Sequence, residues 1–401
     1  MPEIRTPTQV IIDTDLGIDD SVAILLALAS PELEILAINT SYGCTDVEAS
    51  YLNIFKLYQC LEQHLTNHPA ERNRFPNFNP NKKPILARGS AGPLEGEVQG
   101  AQYFHGRDGL GDITNRHPEL SVASPSDSHT YLELSNKSAT EVSLDILKSM
   151  PPRSVTYVVI GPLTNLAQLM RADSQLVTDR IGRIISMGGA LDIPGNTSPV
   201  AEFNFFLDPF AVKELLISTD LHGGLPLDRF LWLPLDVTLQ HELPFSAYKS
   251  AVDPTLDGPA LPSSPDGKTA LVHFTSSFLE RTREIMLQFG KDAMELHDIV
   301  AVWCAIENPP FADNQPMTLG AGWKGRPRVF DIERVGELTR GMVVVDRRDG
   351  ETIPGTNRSE AQREPHDPFD NDQPGVFTVT TTPGSAALVN LLLRRVWNRS
   401  L

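Results

Sequence analysis

The chain has 401 residues, 40% of them hydrophobic, and a formal net charge of −17. That is enough apolar material for a large core, and large α/β enzymes of this length often run as one domain. The acidic balance argues against nucleic-acid binding through a basic face, while a cluster of carboxylates suits a bound cation.

Three widely spaced cysteines, Cys44, Cys60 and Cys304, make no disulfide or zinc pattern and fit a reducing compartment. The opening "MPEIRTPTQV" has no basic-then-apolar leader, and no apolar run is long enough to span a bilayer. A cytoplasmic protein without membrane contact is expected.

In chain order, "QVIIDTD" reads as a buried strand and "DDSVAILLALAS" as the helix after it, closed by Pro31. "LEILAINTSYG" is the next strand and "VEASYLNIFKLYQCLEQ" the next helix. This βαβ start implies α/β architecture, an open and mostly parallel sheet flanked by helices. "KKPILARGSAGPL" supplies a short strand, "SATEVSLDILKSMP" a helix, and "RSVTYVVIGPLTNLAQLMR" a further strand and helix. "IGRIISMGGA" is a buried strand with a glycine-rich exit. The end, "RGMVVVDRR" then "GVFTVTTTPGSAALVNLLLRRVW", reads as strand, strand, helix. Polar, proline-rich stretches at 66–83, 117–130, 250–268 and 347–375 read as loop insertions in a single domain.

The chemistry concentrates in "VIIDTDLGIDDS", where Asp13, Asp15, Asp19 and Asp20 fall within eight positions. Strand alternation puts Asp13 and Asp15 on one side near the strand's carboxyl end, where open α/β sheets bind ligands. Asp19 and Asp20 open the helix, where an anion is favoured. A solvated turn with an N-cap aspartate accounts for Asp19 or Asp20, but not for two carboxylates ending an apolar strand. Hard oxygen donors suit Ca²⁺ or Mg²⁺. An EF-hand counted from Asp13 requires glycine and glutamate where Ile18 and Ile24 stand, so it fails. "DTD" also matches a D-x-D phosphatase of the haloacid dehalogenase type, with Asp13 as nucleophile, but no convincing late acidic motif and lysine accompany it.

A third reading absorbs more of the chain. D-x-D-x-G-x-D-D after a first strand resembles the nucleoside hydrolases, the inosine–uridine-preferring N-ribohydrolase family. "HGRDGLGD" (105–112), "VVIGPLTNLA" (158–167), "MGGALDIPGNTSPVAEFNFFLDP" (187–209), "PLDVT" (234–238), "HDIVA" (297–301) and "LTRGMVVVD" (338–346) resemble further stations of that family, in its order.

The resemblance implies a fold, a reaction and a site. The fold is the family's Rossmann-like α/β core. The reaction is hydrolysis of the N-glycosidic bond of purine or pyrimidine ribonucleosides, through an oxocarbenium-like sugar. One Ca²⁺ per subunit would be held by Asp15, Asp20, the main-chain carbonyl of Thr164 and Asp298, with Asp13 orienting the ligands from behind. Asp15 would be the general base. Asp19, Asn196, Glu202 and Asn204 would bind ribose. His297 would protonate the departing base or line the pocket. His105 lies in a glycine-rich loop able to close over substrate, or faces solvent; Phe203 packs on sugar or base, or in the core. A homo-oligomer, dimer or tetramer, is implied as well. One residue departs from the pattern: Cys44 stands where the family usually has asparagine, and a thiol cannot replace an amide's donors and acceptors. Asp46 or Asn39 would then compensate, or sugar recognition is altered. A non-catalytic descendant of the fold is the remaining alternative; intact Asp15, Asp20, Asn204 and His297 argue against it.

Overall fold

The computed structural model describes residues 6–122, 128–218, 224–311, 317–346 and 375–400. The apolar run ahead of the aspartates forms β1 (Thr8–Thr14), followed by α1 (Ile18–Leu28), β2 (Leu33–Thr40), α2 (Val47–Asn67) and β3 (Ile85–Arg88). Two short helices, α3 (Gln102–His105) and α4 (Ile113–Arg116), precede β4 (Glu133–Ser138), α5 (Ala139–Ser149), β5 (Val155–Val159), α6 (Thr164–Arg180) and β6 (Ile181–Met187). Then come α7 (Phe203–Leu207), α8 (Pro209–Leu216), β7 (Phe230–Leu233), α9 (Leu235–Thr238), β8 (Glu242–Pro244) and α10 (Phe245–Ala251). The chain ends with α11 (Ala270–Gln288), β9 (Ala293–Glu295), α12 (His297–Glu307), β10 (Lys324–Arg328), β11 (Asp331–Ile332), β12 (Val343–Val344), β13 (Val376–Thr381) and α13 (Ser385–Trp397).

Nine strands form the main sheet in the order β10-β13-β7-β6-β5-β1-β2-β3-β4. Every neighbouring pair is parallel except β10 with β13. A parallel sheet needs cover on both faces, and β1 shows it: Val10 and Ile12 join one apolar cluster, with residues of α1 and α12, while Ile11 between them joins the other, with residues of α5 and α6. Strand order reverses at β1, which has β2 on one side and β5 on the other. The crevice at that switch point opens beyond the carboxyl ends of β1 and β5, where the aspartate cluster sits.

Some local expectations change. Among the described residues of "RGMVVVDRR", only the two-residue β12 forms, paired with β11 outside the main sheet, while β13 takes the place beside β7. The long α11 carries polar Thr275, Ser276, Ser277, Glu280 and Thr282 on its buried face, which hides its helical pattern from the sequence. The stretches 66–83 and 250–268 send Phe75, Phe78 and Leu256 into the core, and Phe78 stacks on Tyr131 at 3.9 Å between centroids. Residues 123–127 of the stretch 117–130, and 347–374 of the stretch 347–375, lie outside the described residues. Among the described residues no helix is long and apolar enough to cross a membrane.

Candidate active site

The turn between β1 and α1 is built around Asp20. Its carboxylate accepts from the Gly17 amide (2.8 Å) and from Thr14 Oγ1 (2.5 Å), closing the first turn of α1 from within. Asp15, one residue past β1, accepts from the Cys44 amide at 2.7 Å. Gly43 makes that approach possible: its φ is +154°, and a Cβ there would fall 2.0 Å from Asp15 Oδ2. Asp298, the second residue of α12, comes up against Asp20. Oxygens of Asp19, Asp20 and Asp298 lie within 4.8 Å of one another.

Asp15, Asp20 and Asp298 are each at most 3% exposed. Among the described residues none of the three pairs with a lysine, arginine or histidine. Burial pushes the Asp20 carboxyl up to about 7, helped by the charge of Asp19, and pushes Asp15 and Asp298 well above the carboxylate range, helped by their acidic neighbours. Three buried carboxyls facing one another with no cation are costly, and a divalent ion with hard-oxygen preference fits this donor set.

Asp13 sits behind the cavity. Asn165 Nδ2 donates to it at 2.8 Å and the Tyr157 hydroxyl at 3.0 Å, and burial still raises its pKa to about 7. Thr164, the first residue of α6, is buried and donates its hydroxyl to Asp208 at 2.7 Å. The remaining residues singled out in the sequence come together. Asp15, Asp19, Asp20, His105, Asn196, Glu202, Phe203, Asn204, His297 and Asp298 line one cavity of about 270 Å³, with Cys44.

Across from the aspartates, the glycine-rich exit of β6 meets α7. Glu202 caps α7, accepting from the amides of Asn204 (2.9 Å) and Phe205 (3.0 Å), and from that of Gly189 (2.6 Å). Asn204 donates to the carbonyls of Ile160 and Met187, both at 3.3 Å, which fixes its amide at the end of β5 and β6. Asn196 Oδ1 accepts from the Phe203 amide at 3.0 Å, and Phe203 is half-buried at the cavity wall rather than in the core.

His105 is buried, and it ends α3 instead of facing solvent. Its Nδ1 accepts from the Ile18 amide at 3.4 Å, and its Nε2 lies 3.4 Å from Cys44 Sγ. The "GRDGLGD" segment after it folds around Asp108, which accepts from the amides of Leu110, Asp112 and Thr114. Neither residue expected to compensate for Cys44 reaches the cavity. Asp46 is exposed and caps α2, and Asn39 is buried in β2 with its amide on Ser143.

His297 opens α12. Its Nδ1 faces Thr238 Oγ1 at 2.9 Å and its Nε2 faces Glu295 Oε2 at 3.1 Å. Burial works against the imidazolium, but the Glu295 hydrogen bond and charge outweigh it and hold the His297 pKa above its ordinary value. Burial also opposes ionisation of Glu295, yet His297 and Lys291, with Nζ at 2.5 Å, bring its carboxyl down to about 2. Sequence reasoning missed Glu295, Lys291 and Thr238; only the folded positions of β9 and α9 bring Glu295 and Thr238 to His297, with Lys291 on Glu295. It also missed the apolar lining contributed by Phe104, Met286, Phe289 and Met294.

Residues 10–376 match the family described as inosine-uridine preferring nucleoside hydrolase. The chain belongs to the nucleoside hydrolase family. It is therefore an enzyme acting on N-glycosyl compounds. A pyrimidine-specific ribonucleoside hydrolase of Shewanella oneidensis is 30% identical over 348 residues, 84% of this chain and 86% of that protein. The inosine-uridine preferring nucleoside hydrolase of Leishmania major is 35% identical over 205 residues, 51% of this chain and 55% of the relative. A solved plant nucleoside hydrolase superposes with a TM-score of 0.66 at 23% identity, covering 98% of this chain and 99% of that one, so the described residues share that fold.

Proposed function

We propose that this enzyme hydrolyses the N-glycosidic bond of ribonucleosides in a Ca²⁺-dependent reaction, releasing free base and ribose. The observation that carries the reading is the convergence of buried Asp15, Asp20 and Asp298, none paired with a lysine, arginine or histidine among the described residues, on the cavity that Asn196, Glu202 and Asn204 wall. Asp15, Asp20, Asp298 and the Thr164 carbonyl would hold the ion, and Asp13 would orient them through the end of β1. When bound, the cation supplies Lewis acidity that makes water a competent nucleophile near neutral pH and a pole for the ribose diol.

The protein groups do the rest. Asp15 takes a proton from the attacking water as its oxygen bonds to the anomeric carbon. The bond from that carbon to the base nitrogen breaks, and its electron pair leaves with the base. His297, whose imidazolium the Glu295 carboxylate favours, gives its proton to that base. Asp19, Asn196, Glu202 and Asn204 grip the sugar hydroxyls, and the acidic floor favours the positive charge that builds on the ring. His105 and Phe203 wall the sugar and base. Family membership does not favour the D-x-D phosphatase alternative.

The test is ribose release from inosine, adenosine, guanosine, uridine and cytidine, with Ca²⁺ and with chelator, beside a phosphomonoester control. Chelator-sensitive ribose release supports the proposal. Phosphate release from the control, with every nucleoside left intact, overturns it.

A further inference from the structure

A second group of metal-type donors lies outside the active cavity. His117 follows α4, Glu119 sits two residues on, and His273 comes from the first turn of α11. One oxygen, Glu119 Oε1, lies 3.3 Å from His117 Nδ1 and 2.9 Å from His273 Nε2, and the three donor atoms all fall within 4.8 Å of one another. None of the three residues lines the active cavity.

Several features go beyond a chance hydrogen-bonded cluster. Both imidazoles are buried, at 2% and 3% exposure, yet the Glu119 side chain is 45% exposed, so one side of the group opens to solvent. Each imidazole is oriented through its other nitrogen. His117 Nε2 faces the buried Glu280 carboxylate at 2.7 Å, and His273 Nδ1 faces Ser263 Oγ at 3.1 Å. A carboxylate or hydroxyl behind each ligating histidine is the arrangement that fixes tautomer and ring direction at metal centres. Glu280 and Ser263 are fixed in turn. Arg116 pairs with Glu280, the Ser263 amide donates to Glu280 at 2.7 Å, and Lys268 donates to Ser263 Oγ at 2.8 Å.

His117 lies between two carboxylates, Glu119 and Glu280. A cation bound to Nδ1 and Glu119 would leave the Nε2–H of the ring to donate to Glu280. Donors at about 2.0–2.1 Å around a tetrahedral zinc are about 3.3 Å apart, which the His117–Glu119 separation of 3.3 Å matches and the His273–Glu119 separation of 2.9 Å would reach by opening a few tenths of an ångström.

We propose that His117, Glu119 and His273 form a zinc-type site, a second metal site that fastens the segment after α4 to α11. Two imidazoles and one carboxylate suit Zn²⁺ rather than the hard cation of the acidic cavity, and the exposed side leaves a fourth position for water. The ion would tether the 105–116 segment, whose His105 forms part of the active-cavity wall, to the helix that supplies Thr282 and Met286 to the same cavity.

The test uses the full-length protein, stripped of metal, saturated with Ca²⁺ to occupy the acidic cavity, and then dialysed against Zn²⁺ or Co²⁺. Elemental analysis should find one Zn²⁺ per chain that Ca²⁺ does not displace, and Co²⁺ should give the intense visible absorption of a four-coordinate nitrogen–oxygen site. His273→Gln should abolish both signals. Glu119→Gln, a change at a half-exposed side chain with little risk to folding, should weaken Zn²⁺ binding at least ~10-fold and leave ribose release with Ca²⁺ unchanged. No Zn²⁺ beyond the Ca²⁺-filled cavity overturns the proposal, and so does equal Zn²⁺ binding by wild type and Glu119→Gln. Neither result bears on the hydrolase reading, which ribose release tests separately.

Discussion

Removing the metal should make the stability of this enzyme fall as pH rises, in a way the metal-loaded protein does not share. The folded state holds Asp20 at about 7 against an ordinary 3.8, and it holds Asp15 and Asp298 high as well. Below about pH 4 both folded and unfolded chains carry these carboxyls protonated, and no penalty arises. Between about pH 4 and 7 the unfolded chain ionises freely while the metal-free site resists, so folding takes up protons and stability drops as pH rises. At about 1.4 kcal/mol per pH unit over about three units, a single such group withdraws ~4 kcal/mol by pH 7. With an unfolding entropy of about 2.1 cal/mol/K per residue, a chain of this length shifts its melting temperature by roughly 5 °C for that amount. Asp13 is also raised, but it lies behind the proposed ligands and contributes to both forms. The difference between forms therefore isolates the ligand carboxylates. Circular dichroism melts of resin-stripped and Ca²⁺-loaded protein, from pH 5 to pH 8, read it directly. The gap should be small at pH 5 and widen towards pH 8. Parallel curves across that range would refute the view that these three carboxylates meet a cation.

Three substitutions probe the chemistry. Asp15→Ala should cut turnover by at least ~10²–10⁴-fold, the range of a lost general base, and weaken metal binding as well; wild-type hydrolysis by that variant removes Asp15 from the site. His297→Ala should slow inosine far more than p-nitrophenyl riboside, whose leaving group departs without a proton, and equal losses on both would show that His297 only lines the pocket. Gly43→Ala should cost both activity and Ca²⁺ affinity, since its Cβ would displace the Asp15 carboxylate, and unchanged kinetics would mean that this close approach is absent in solution.

The parts of the site legible in the sequence were those carried by a single turn. Asp13, Asp15, Asp19 and Asp20 lie between one strand and one helix, so spacing and periodicity place them with no knowledge of the rest of the chain. Motif order then located Asn196, Glu202, Asn204 and Asp298. What stayed hidden depends on tertiary contact. Thr238 and Glu295 come from short elements, α9 and β9, and meet His297 only after folding. Asp208 caps α8 through the Ala211 amide and also accepts from Thr164 and from the Leu94 amide, far away in sequence. Cys44 was legible as a departure, but its surroundings were not. Its neighbours are His105 and Asp15, while Asn39 and Asp46 are committed elsewhere. The fold class followed from the βαβ opening, whereas α11 was obscured by the polar residues it buries.

The most direct test of the central claim is a Ca²⁺ re-addition titration of the stripped enzyme, with ribose release and bound metal followed in the same samples. If the buried carboxylates hold the ion that hydrolysis needs, activity should rise from baseline in proportion to the first Ca²⁺ bound per chain and level off when one is bound. Full ribose release from stripped protein, or activity that ignores the first ion bound, would contradict it.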